Sequence, residues 1–385
     1  MSNLGAIDWV ARKTASAVPR AKAIANLEAM VAAQPGRFEP RLMLARLLID
    51  DNRSADVADL LAMPPPEREG GAVLLLGRAA RYLGHAEQAI TLLRRAAELG
   101  EVEAAGDLAQ ALMQAGRADE ALTAAREHLA RHPRDIACQR IAGMILIDRG
   151  RNDEAMALCR DLQARGAQGA QIVWTMAFAA RASGDAATAA TLLGREPWFA
   201  QTRLAIDNDA LAREILGDPT LAPSQTYKPT KGRISRVYDF DSAAGPAARA
   251  LHAEVRGEIE RYLTERAHHG AHPLIASRPK RLALESWSLA MINDGYEEWH
   301  IHGNAWLSAV YYVRNPARAQ SGDAGRFGVG LLPAATRWPG PAFAPWQVTP
   351  EPGLLVIFPA WYAHRTWPTG KETERISVAF NAIAV

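Results

Sequence analysis

A short pattern that recurs along the first half of the chain constrains its fold more than any other feature. Each copy begins with a glycine and has an alanine five positions later, and the glycines are Gly84, Gly116, Gly150 and Gly184. Their spacing is close to the period of about 34 residues that helix–turn–helix repeats show. Asn52 occupies the same place one period earlier, and asparagine is the usual substitute for glycine in a left-handed turn. The pattern predicts pairs of helices, with the glycine ending the first helix of each pair.

The composition between the glycines fits a stack of such pairs. Residues from about 20 to 215 are rich in Ala, Leu and Arg, which favours helix. One predicted helical face carries four apolar residues, namely Ala105, Leu108, Leu112 and Ala115, as stacked helix pairs require. An irregular helical bundle is the alternative, but four copies in phase argue against it. Over about half of its length the chain resembles the tetratricopeptide family, and we predict a solenoid of this kind over residues 1–216.

The second half of the chain has a different character. Residues 217–233 are rich in Pro, Gly and Thr and predict a linker, and residues 243–267 predict a further helix. After them come short aromatic and β-branched runs, namely Leu282–Ile292, Trp306–Val313, Gly353–Phe358 and Arg375–Asn381. Such runs are typical of an all-β barrel or jelly roll. The predicted fold class is α+β multidomain: the all-α solenoid is followed by a jelly-roll barrel (a double-stranded β-helix) over residues 234–385.

The overall composition argues against several kinds of partner. A formal net charge of +2 gives no reason to expect nucleic acid or an anionic membrane. The two cysteines, Cys138 and Cys159, are too few for a disulfide framework and indicate a reducing compartment. The first residues lack the pattern of a secretory signal, and no apolar run is long enough to span a bilayer. We therefore expect a soluble cytoplasmic protein, and the sequence leaves its oligomeric state open.

Three histidines in the second half form the pattern with the most chemical content. His300 and His302 precede the strand-like run Trp306–Val313, and in an extended chain residues i and i+2 face the same side. Two imidazoles on one face are costly to bury unless something satisfies their nitrogens, which a divalent metal does well. His364 follows the strand-like run Gly353–Phe358. The three histidines are therefore candidate metal ligands.

A charged residue on the last predicted strand suits a carboxylate ligand. Arg375, Ser377, Ala379 and Asn381 share one strand face by the period of two. A guanidinium presents a fixed fork of donors that matches a carboxylate, and a hydroxyl two residues away can assist it. Arg375 and Ser377 are therefore candidates for binding a carboxylate inside the barrel.

Roughly residues 280–385 resemble the iron(II)/2-oxoglutarate oxygenase superfamily. More narrowly, they are similar to a branch of these oxygenases that is often fused to tetratricopeptide repeats. The motifs shared with that branch occur in the same order, namely His300-Ile301-His302, Leu307–Tyr312, Pro352–Pro359, His364, Arg375–Ser377 and Phe380-Asn381. The resemblance implies an enzyme that uses Fe(II), O2 and the co-substrate 2-oxoglutarate to hydroxylate an unactivated carbon, while 2-oxoglutarate is converted to succinate.

The resemblance also assigns catalytic roles. His300 and His364 match the two histidines of the metal-binding triad, and they are expected to act with His302 and Arg375. His302 falls where most members have Asp or Glu, which departs from the rule of two histidines and one carboxylate. A histidine in that place makes the metal centre one unit more positive. Asp323, in a loop between glycines, is the carboxylate to consider if His302 is not a ligand.

Further residues are assigned to the co-substrate and the substrate. Arg375 matches the residue that holds the distal carboxylate of 2-oxoglutarate, and Ser377 assists it. Tyr312 matches a tyrosine that joins this contact, and Asn293 sits where a polar residue often reaches the co-substrate. Two tryptophans flank the last histidine, and one of them is expected to line the substrate mouth, namely Trp361 or Trp367.

Two other functions stay open at this stage. A three-histidine metal dioxygenase would not use 2-oxoglutarate, and the Arg-x-Ser motif argues against it. A catalytically inactive repeat adaptor would need neither the complete set of histidines nor Arg375. Because stacked helix pairs create an extended concave surface, we expect a protein or peptide substrate that is held in part by the repeats.

Overall fold

The computed structural model describes most of the chain. The described residues are 7–10, 20–51, 53–224, 230–238, 240, 245–276, 278–316, 322–330, 345–370 and 374–385. Two compact units emerge, which we name the repeat unit (residues 18–167) and the sheet unit (residues 1–17 together with 168–385). Asn52 and the side chain of Asn293, both singled out in the sequence, lie outside what the structure describes.

The repeat unit consists of helices joined by short turns. Its α-helices are α1 (Arg20–Ala33), α2 (Phe38–Asp50), α3 (Val57–Leu60), α4 (Glu69–Tyr82), α5 (Ala86–Glu98), α6 (Ala104–Gln114), α7 (Ala118–Arg131), α8 (Ile136–Asp148) and α9 (Asn152–Ala164). Gly84, Gly116 and Gly150 follow α4, α6 and α8 with φ angles of +81°, +74° and +68°. A residue with a Cβ atom is strained in that left-handed conformation, so the recurring glycines mark the turns within helix pairs, as predicted.

The alanine of each repeat fills the space between paired helices. Ala89, Ala121 and Ala155 are all fully buried, and their small side chains let two helices approach closely. The same three helices also contribute buried leucines, namely Leu93, Leu129 and Leu162. Each such leucine stabilises the fold by roughly 1.5–3 kcal/mol through burial of its apolar surface.

One helical face is buried less deeply than its apolar sequence predicts. On α6, Leu112 is buried, whereas the other three residues of the predicted face are half-buried. The deepest positions on this helix include Ala104 and Ala109. The buried face of α6 is therefore centred on small residues rather than on the larger Leu108.

The sheet unit combines helices with strands. Its α-helices are α10 (Ala170–Ser183), α11 (Ala186–Leu193), α12 (Asn208–Leu216), α13 (Pro246–Glu265) and α14 (Pro273–Ala276). Its strands are β1 (Asp8–Trp9), β2 (Ala200–Arg203), β3 (Ala222–Pro223), β4 (Thr230–Arg236), β5 (Arg281–Glu297), β6 (Ala305–Arg314), β7 (Phe327–Gly330), β8 (Trp346–Val348), β9 (Leu354–Pro359), β10 (Ala363–Thr366) and β11 (Glu374–Ala384).

The described strands form two sheets. The larger has the order β2-β9-β6-β11-β5-β4-β3, with β1 added in parallel to β5, and the smaller has the order β10-β7-β8. The pairs along both orders are antiparallel. This arrangement is consistent with the predicted jelly roll. With the helical repeats before it, it confirms the predicted fold class.

The strand-like runs of the sequence correspond to β5, β6, β9 and β11, and the helix predicted over residues 243–267 corresponds to α13. Strand β5 is longer than predicted, because it continues past Ile292 to Glu297. The intervening residues resemble a turn, but pairing with β4 keeps them extended, with Thr230 opposite Glu297. Gly232 makes this possible, since a Cβ atom there would lie 2.5 Å from the carbonyl oxygen of Asp294.

Helices α10–α12 lie in a different unit from the one that the sequence suggests. The sequence-based boundary at residue 216 includes them in the solenoid, whereas they belong to the sheet unit. Trp361 Nε1 donates to the carbonyl of Leu192 at 3.0 Å, and the Tyr362 hydroxyl donates to the carbonyl of Gly194 at 2.7 Å. The predicted linker also contains β3 and the start of β4. Local composition cannot reveal contacts between residues so far apart in the chain. The domain limits at residues 216 and 233 stay a prediction.

Two further observations concern membranes and cysteines. Among the residues described, none of the helices combines the length and the apolarity needed to cross a bilayer. Cys138 and Cys159 are both buried, and no disulfide joins them.

Candidate active site

The three histidines singled out in the sequence converge at one point of the sheet unit. His300 lies just beyond β5 and forms an antiparallel bridge with His364 on β10, in which each backbone N–H donates to the other residue's carbonyl, at 3.1 and 3.0 Å. The ring centroids of the three imidazoles are 4.2 to 5.1 Å apart. One nitrogen from each ring lies within 4.8 Å of the others, so His300, His302 and His364 could hold a metal ion together.

Hydrogen bonds hold each imidazole in an orientation suited to a ligand. The Nδ1 atom of His300 donates to the carbonyl of Glu298 at 2.7 Å, and that of His364 lies 3.4 Å from the carbonyl of Tyr362. The Nδ1 atom of His302 donates to Oδ1 of Asn381 at 2.7 Å. Because these oxygens only accept, the proton of each neutral ring resides on Nδ1 and the Nε2 lone pair is free. Partners of this kind fix the tautomer of metal-binding histidines.

Burial keeps the three imidazoles neutral. It lowers the pKa of His300 to about 4, and together with the neighbouring imidazole of His300 it lowers the pKa of His302 to about 4. The pKa of His364 is well below its ordinary value, first through burial and then through the two other imidazoles. A neutral imidazole is the form that binds a metal. The group is therefore ready to act as a ligand set at neutral pH.

A cavity opens beside the histidines and is walled mainly by apolar side chains. Its lining includes Trp287, Met291, Phe327 and Phe358, and its polar groups include Tyr312 and Ser377. Apolar walls with a few placed polar groups are typical of a small-molecule site. The cavity therefore has room for a ligand next to the point where the imidazoles meet.

Arg375 is buried behind one wall of this cavity. Its side chain is 0% exposed, Nη1 donates to the carbonyl of Gly325 at 3.2 Å, and Nη2 lies 2.8 Å from the sulfur of Met291. Its Nε and the hydroxyl of Tyr312 have no hydrogen-bond partner among the described residues. Burial lowers the pKa of Arg375. A buried guanidinium with such weak partners is costly, and a carboxylate in the adjoining cavity would satisfy it.

The strand face predicted around Arg375 is arranged as the period of two requires. Ser377 and Ala379 line the cavity, and Ser377 is directly opposite Tyr312 on β6. Asn381, further along the same face, holds the His302 ring and also accepts from the Ser308 hydroxyl at 3.0 Å. The period of two predicts Asn381 on this face, but its bond to His302 has no signal in the sequence.

Glu297 is the acidic residue of the cavity that sequence reasoning missed. It is 7% exposed and lines the cavity with the three histidines. Its Oε1 accepts from the Thr230 hydroxyl at 2.8 Å and from Arg236, and its Oε2 lies 3.6 Å from Nε2 of His300. The available signal was a glutamate three positions before His300. It was overlooked because the residues between β5 as predicted and His300 resemble a turn.

Three other residues named from the sequence lie elsewhere. Asp323 is exposed on a turn, 3.9 Å from Arg326, and is absent from the cavity lining, so it does not replace His302. Trp361 is buried against α11 and does not line the described cavity. Trp367 instead lies beneath Arg365, whose guanidinium carbon is 4.4 Å from the indole centre. Both tryptophans lie outside β10, in the segments on either side of it.

Comparison with known proteins finds a family match in each half of the chain. Residues 285–381 match the model of a family described as "Putative 2OG-Fe(II) oxygenase". Residues 74–136 and 107–170 match a tetratricopeptide repeat family. No curated protein matches the chain.

Several solved structures are similar to parts of the chain. A Pseudomonas putida prolyl-4-hydroxylase is 17% identical over 52% of this chain and 98% of its own, with a TM-score of 0.34. An oxidoreductase of the 2OG-Fe(II) oxygenase family from Burkholderia pseudomallei is 15% identical over 49% and 86%, with a TM-score of 0.31. Pseudomonas aeruginosa pilF is 17% identical over 45% and 81%, with a TM-score of 0.39. Scores this low carry no assignment of function. The family matches show that the chain contains a tetratricopeptide region followed by a segment of the 2OG-Fe(II) oxygenase type.

Proposed function

We propose that this protein is a non-haem Fe(II)- and 2-oxoglutarate-dependent oxygenase that hydroxylates a carbon atom of a protein or peptide. The observation that carries the proposal is the convergence of His300, His302 and His364, each with Nδ1 engaged by an oxygen acceptor and Nε2 left free. Three such nitrogens are ligands well suited to a divalent transition metal. The metal, when bound, supplies the activation of O2 that is coupled to decarboxylation of 2-oxoglutarate.

The co-substrate is assigned to the part of the cavity next to Arg375. In this proposal the distal carboxylate of 2-oxoglutarate takes the place of the Met291 sulfur at the guanidinium, and the hydroxyls of Tyr312 and Ser377 donate to the same carboxylate. Charge-assisted hydrogen bonds of this type are strong in a water-poor site. Asn293 is a further candidate for contact with the co-substrate.

The metal assignment is tested by iron content. The full chain would be loaded with Fe(II) without oxygen and its bound iron measured by mass spectrometry. His300→Ala combined with His364→Ala should abolish iron binding, because a single remaining imidazole cannot hold the ion. A matched double variant, His85→Ala with His268→Ala, removes two exposed histidines and should bind iron like the wild type. Retention of stoichiometric iron by the first double variant would contradict the assignment of the metal site to these histidines.

A second candidate function is a three-histidine metal dioxygenase that does not use 2-oxoglutarate. The presence of His302 where a carboxylate is usual favours it, and so does the burial of Arg375 behind the cavity wall. Oxygen uptake with iron and ascorbate separates the two. The proposed function requires that uptake depend on 2-oxoglutarate and yield succinate, whereas the alternative predicts uptake without it.

The substrate class rests on the tetratricopeptide region, since arrays of helix pairs present extended surfaces that suit polypeptides. If the repeats hold part of the substrate, KM should fall as a substrate peptide is lengthened beyond what the cavity accommodates, while kcat stays nearly constant. Peptides and free amino acids would be offered to the full chain, and the gain of one oxygen atom followed by mass spectrometry. Turnover of a free amino acid or another small molecule alone would contradict this part of the proposal.

A further inference from the structure

The cluster of histidines lacks an acidic ligand but has an acidic neighbour. A centre of three neutral imidazoles carries one positive charge more than the usual set with one carboxylate. Glu297 lies within the same cavity, and its Oε2 is 3.6 Å from Nε2 of His300. Any cation bound by that nitrogen would therefore lie close to a carboxylate oxygen.

The two oxygens of Glu297 have different surroundings. Oε1 is held by the Thr230 hydroxyl at 2.8 Å and by the guanidinium of Arg236. Both partners come from β4, which pairs with the end of β5 that carries Glu297. The backbone N–H of Glu297 donates to the Thr366 hydroxyl at 2.8 Å, which ties this position to β10, the strand of His364. The carboxylate is thus fixed with Oε1 toward β4 and Oε2 toward the imidazoles.

The pair with Arg236 does not by itself account for this orientation. Arg236 engages the oxygen that is remote from His300, so the negative end of the pair points to the histidines. A buried ion pair contributes little to stability compared with apolar residues of similar size. Its position beside a set of potential ligands is better explained by an electrostatic role toward a bound cation.

On the basis of the proposed function, we propose that Glu297 is the charge partner of the three-histidine centre, a positioning residue that supplies the negative charge absent from position 302. It acts from the outer shell, held by Thr230 and Arg236, and strengthens the binding of a divalent metal by His300, His302 and His364. Residues in this relation to a metal typically change its affinity by about 10–100-fold.

The experiment measures the affinity of the full chain for Co(II), which resists air oxidation, by calorimetric titration. Glu297→Gln keeps the shape of the side chain and removes its charge, and it should weaken Co(II) binding by about 10–100-fold. The matched control is Glu374→Gln, which makes the same chemical change at a carboxylate paired with Arg314 and should bind Co(II) like the wild type. Thermal unfolding of each variant verifies that the affinity refers to folded protein.

A second variant guards against misfolding caused by leaving Arg236 unpaired. Arg236→Met combined with Glu297→Gln removes both charges of the pair, and Co(II) affinity should again fall. A His302→Asp background gives a readout that a purely structural role would not move, because Glu297→Gln should cost much less affinity once position 302 carries its own carboxylate.

The possible outcomes separate the inference from the proposed function. Wild-type protein that binds no Co(II) would overturn both. Wild-type binding with unchanged affinity in Glu297→Gln and in the double variant would overturn the role of Glu297 alone. An equal loss in the wild-type and His302→Asp backgrounds would also overturn it, because the charge at 297 would then not substitute for the charge at 302.

Discussion

Some charged side chains of the repeat unit and of the sheet unit lie in contrasting environments. In the repeat unit, Glu154 pairs with Arg151 and Arg126 while about half of its side chain stays exposed. In the sheet unit, Arg375 is 0% exposed and Glu297 is 7% exposed. Exposed ion pairs contribute little to stability, whereas buried charges cost free energy unless something compensates them. The difference indicates that Glu154 is a solvated surface charge, whereas the buried Arg375 and Glu297 need compensating partners.

The largest effect expected from this comparison is at Arg375. Arg375→Met removes the guanidinium and keeps much of the side-chain volume. The apparent KM for 2-oxoglutarate should therefore rise by a factor that corresponds to about 2–5 kcal/mol of lost binding free energy. The free energy of unfolding should stay the same or increase, because replacing a buried charge by an apolar side chain is often neutral or stabilising. Turnover kinetics and thermal unfolding provide the two measurements. Arg314→Met, on the neighbouring strand, is the control and should leave the apparent KM for 2-oxoglutarate unchanged. An unchanged KM in Arg375→Met would show that this buried charge does not serve the co-substrate.

An intermediate effect is expected at His272, a buried histidine of the sheet unit outside the cavity lining. Its ring stacks on Trp198 with centroids 3.8 Å apart, and its Nδ1 accepts from the N–H of Leu274 at 3.2 Å. Burial lowers the pKa of His272 to about 4. Between pH 4 and the ordinary histidine value near 6.5, the unfolded chain binds a proton at this residue that the folded chain does not, so stability falls as the pH drops through this window.

Replacement of His272 should remove that part of the pH dependence. In metal-free protein, the free energy of unfolding should decrease between pH 7 and pH 4 by on the order of 2 kcal/mol less in His272→Gln than in the wild type. Urea unfolding at a series of pH values gives the measurement. The exposed His85 serves as a control, since His85→Gln should follow the wild-type curve. Parallel curves for His272→Gln and the wild type would show that this imidazole is not held neutral by burial.

The smallest effect is expected at Glu154 in the repeat unit. Hydrogen bonds from Arg151 and then Arg126 lower the pKa of Glu154 to about 2, but the group is open to solvent. Glu154→Gln should therefore shift the melting temperature only slightly, and the shift should disappear at about 1 M salt, where exposed charges are screened. Thermal unfolding at low and high salt tests this. A large shift that persists in high salt would show that the surface ion pairs support the repeats more than their exposure suggests.

Long-range contacts explain most of what local patterns did not predict. Glu297 was missed because the end of β5 resembles a turn and is kept extended only by β4. Asn381 was seen on the correct strand face, but its bond to His302 joins residues 79 positions apart. Helices α10 and α11 continue the repeat pattern in sequence, yet they belong to the sheet unit, where Trp361 donates to the carbonyl of Leu192 on α11.

Features with local causes could be predicted from the order of the amino acids. The left-handed glycines end helices because only glycine adopts that backbone without strain, and the period of two puts His300 and His302 on one side of an extended segment. Tertiary structure alone decided which strand brings His364 to them, which carboxylate lies beside them and how deeply Arg375 is buried. These outcomes depend on strand order and register, which join residues far apart in the chain and leave no periodic trace in its sequence.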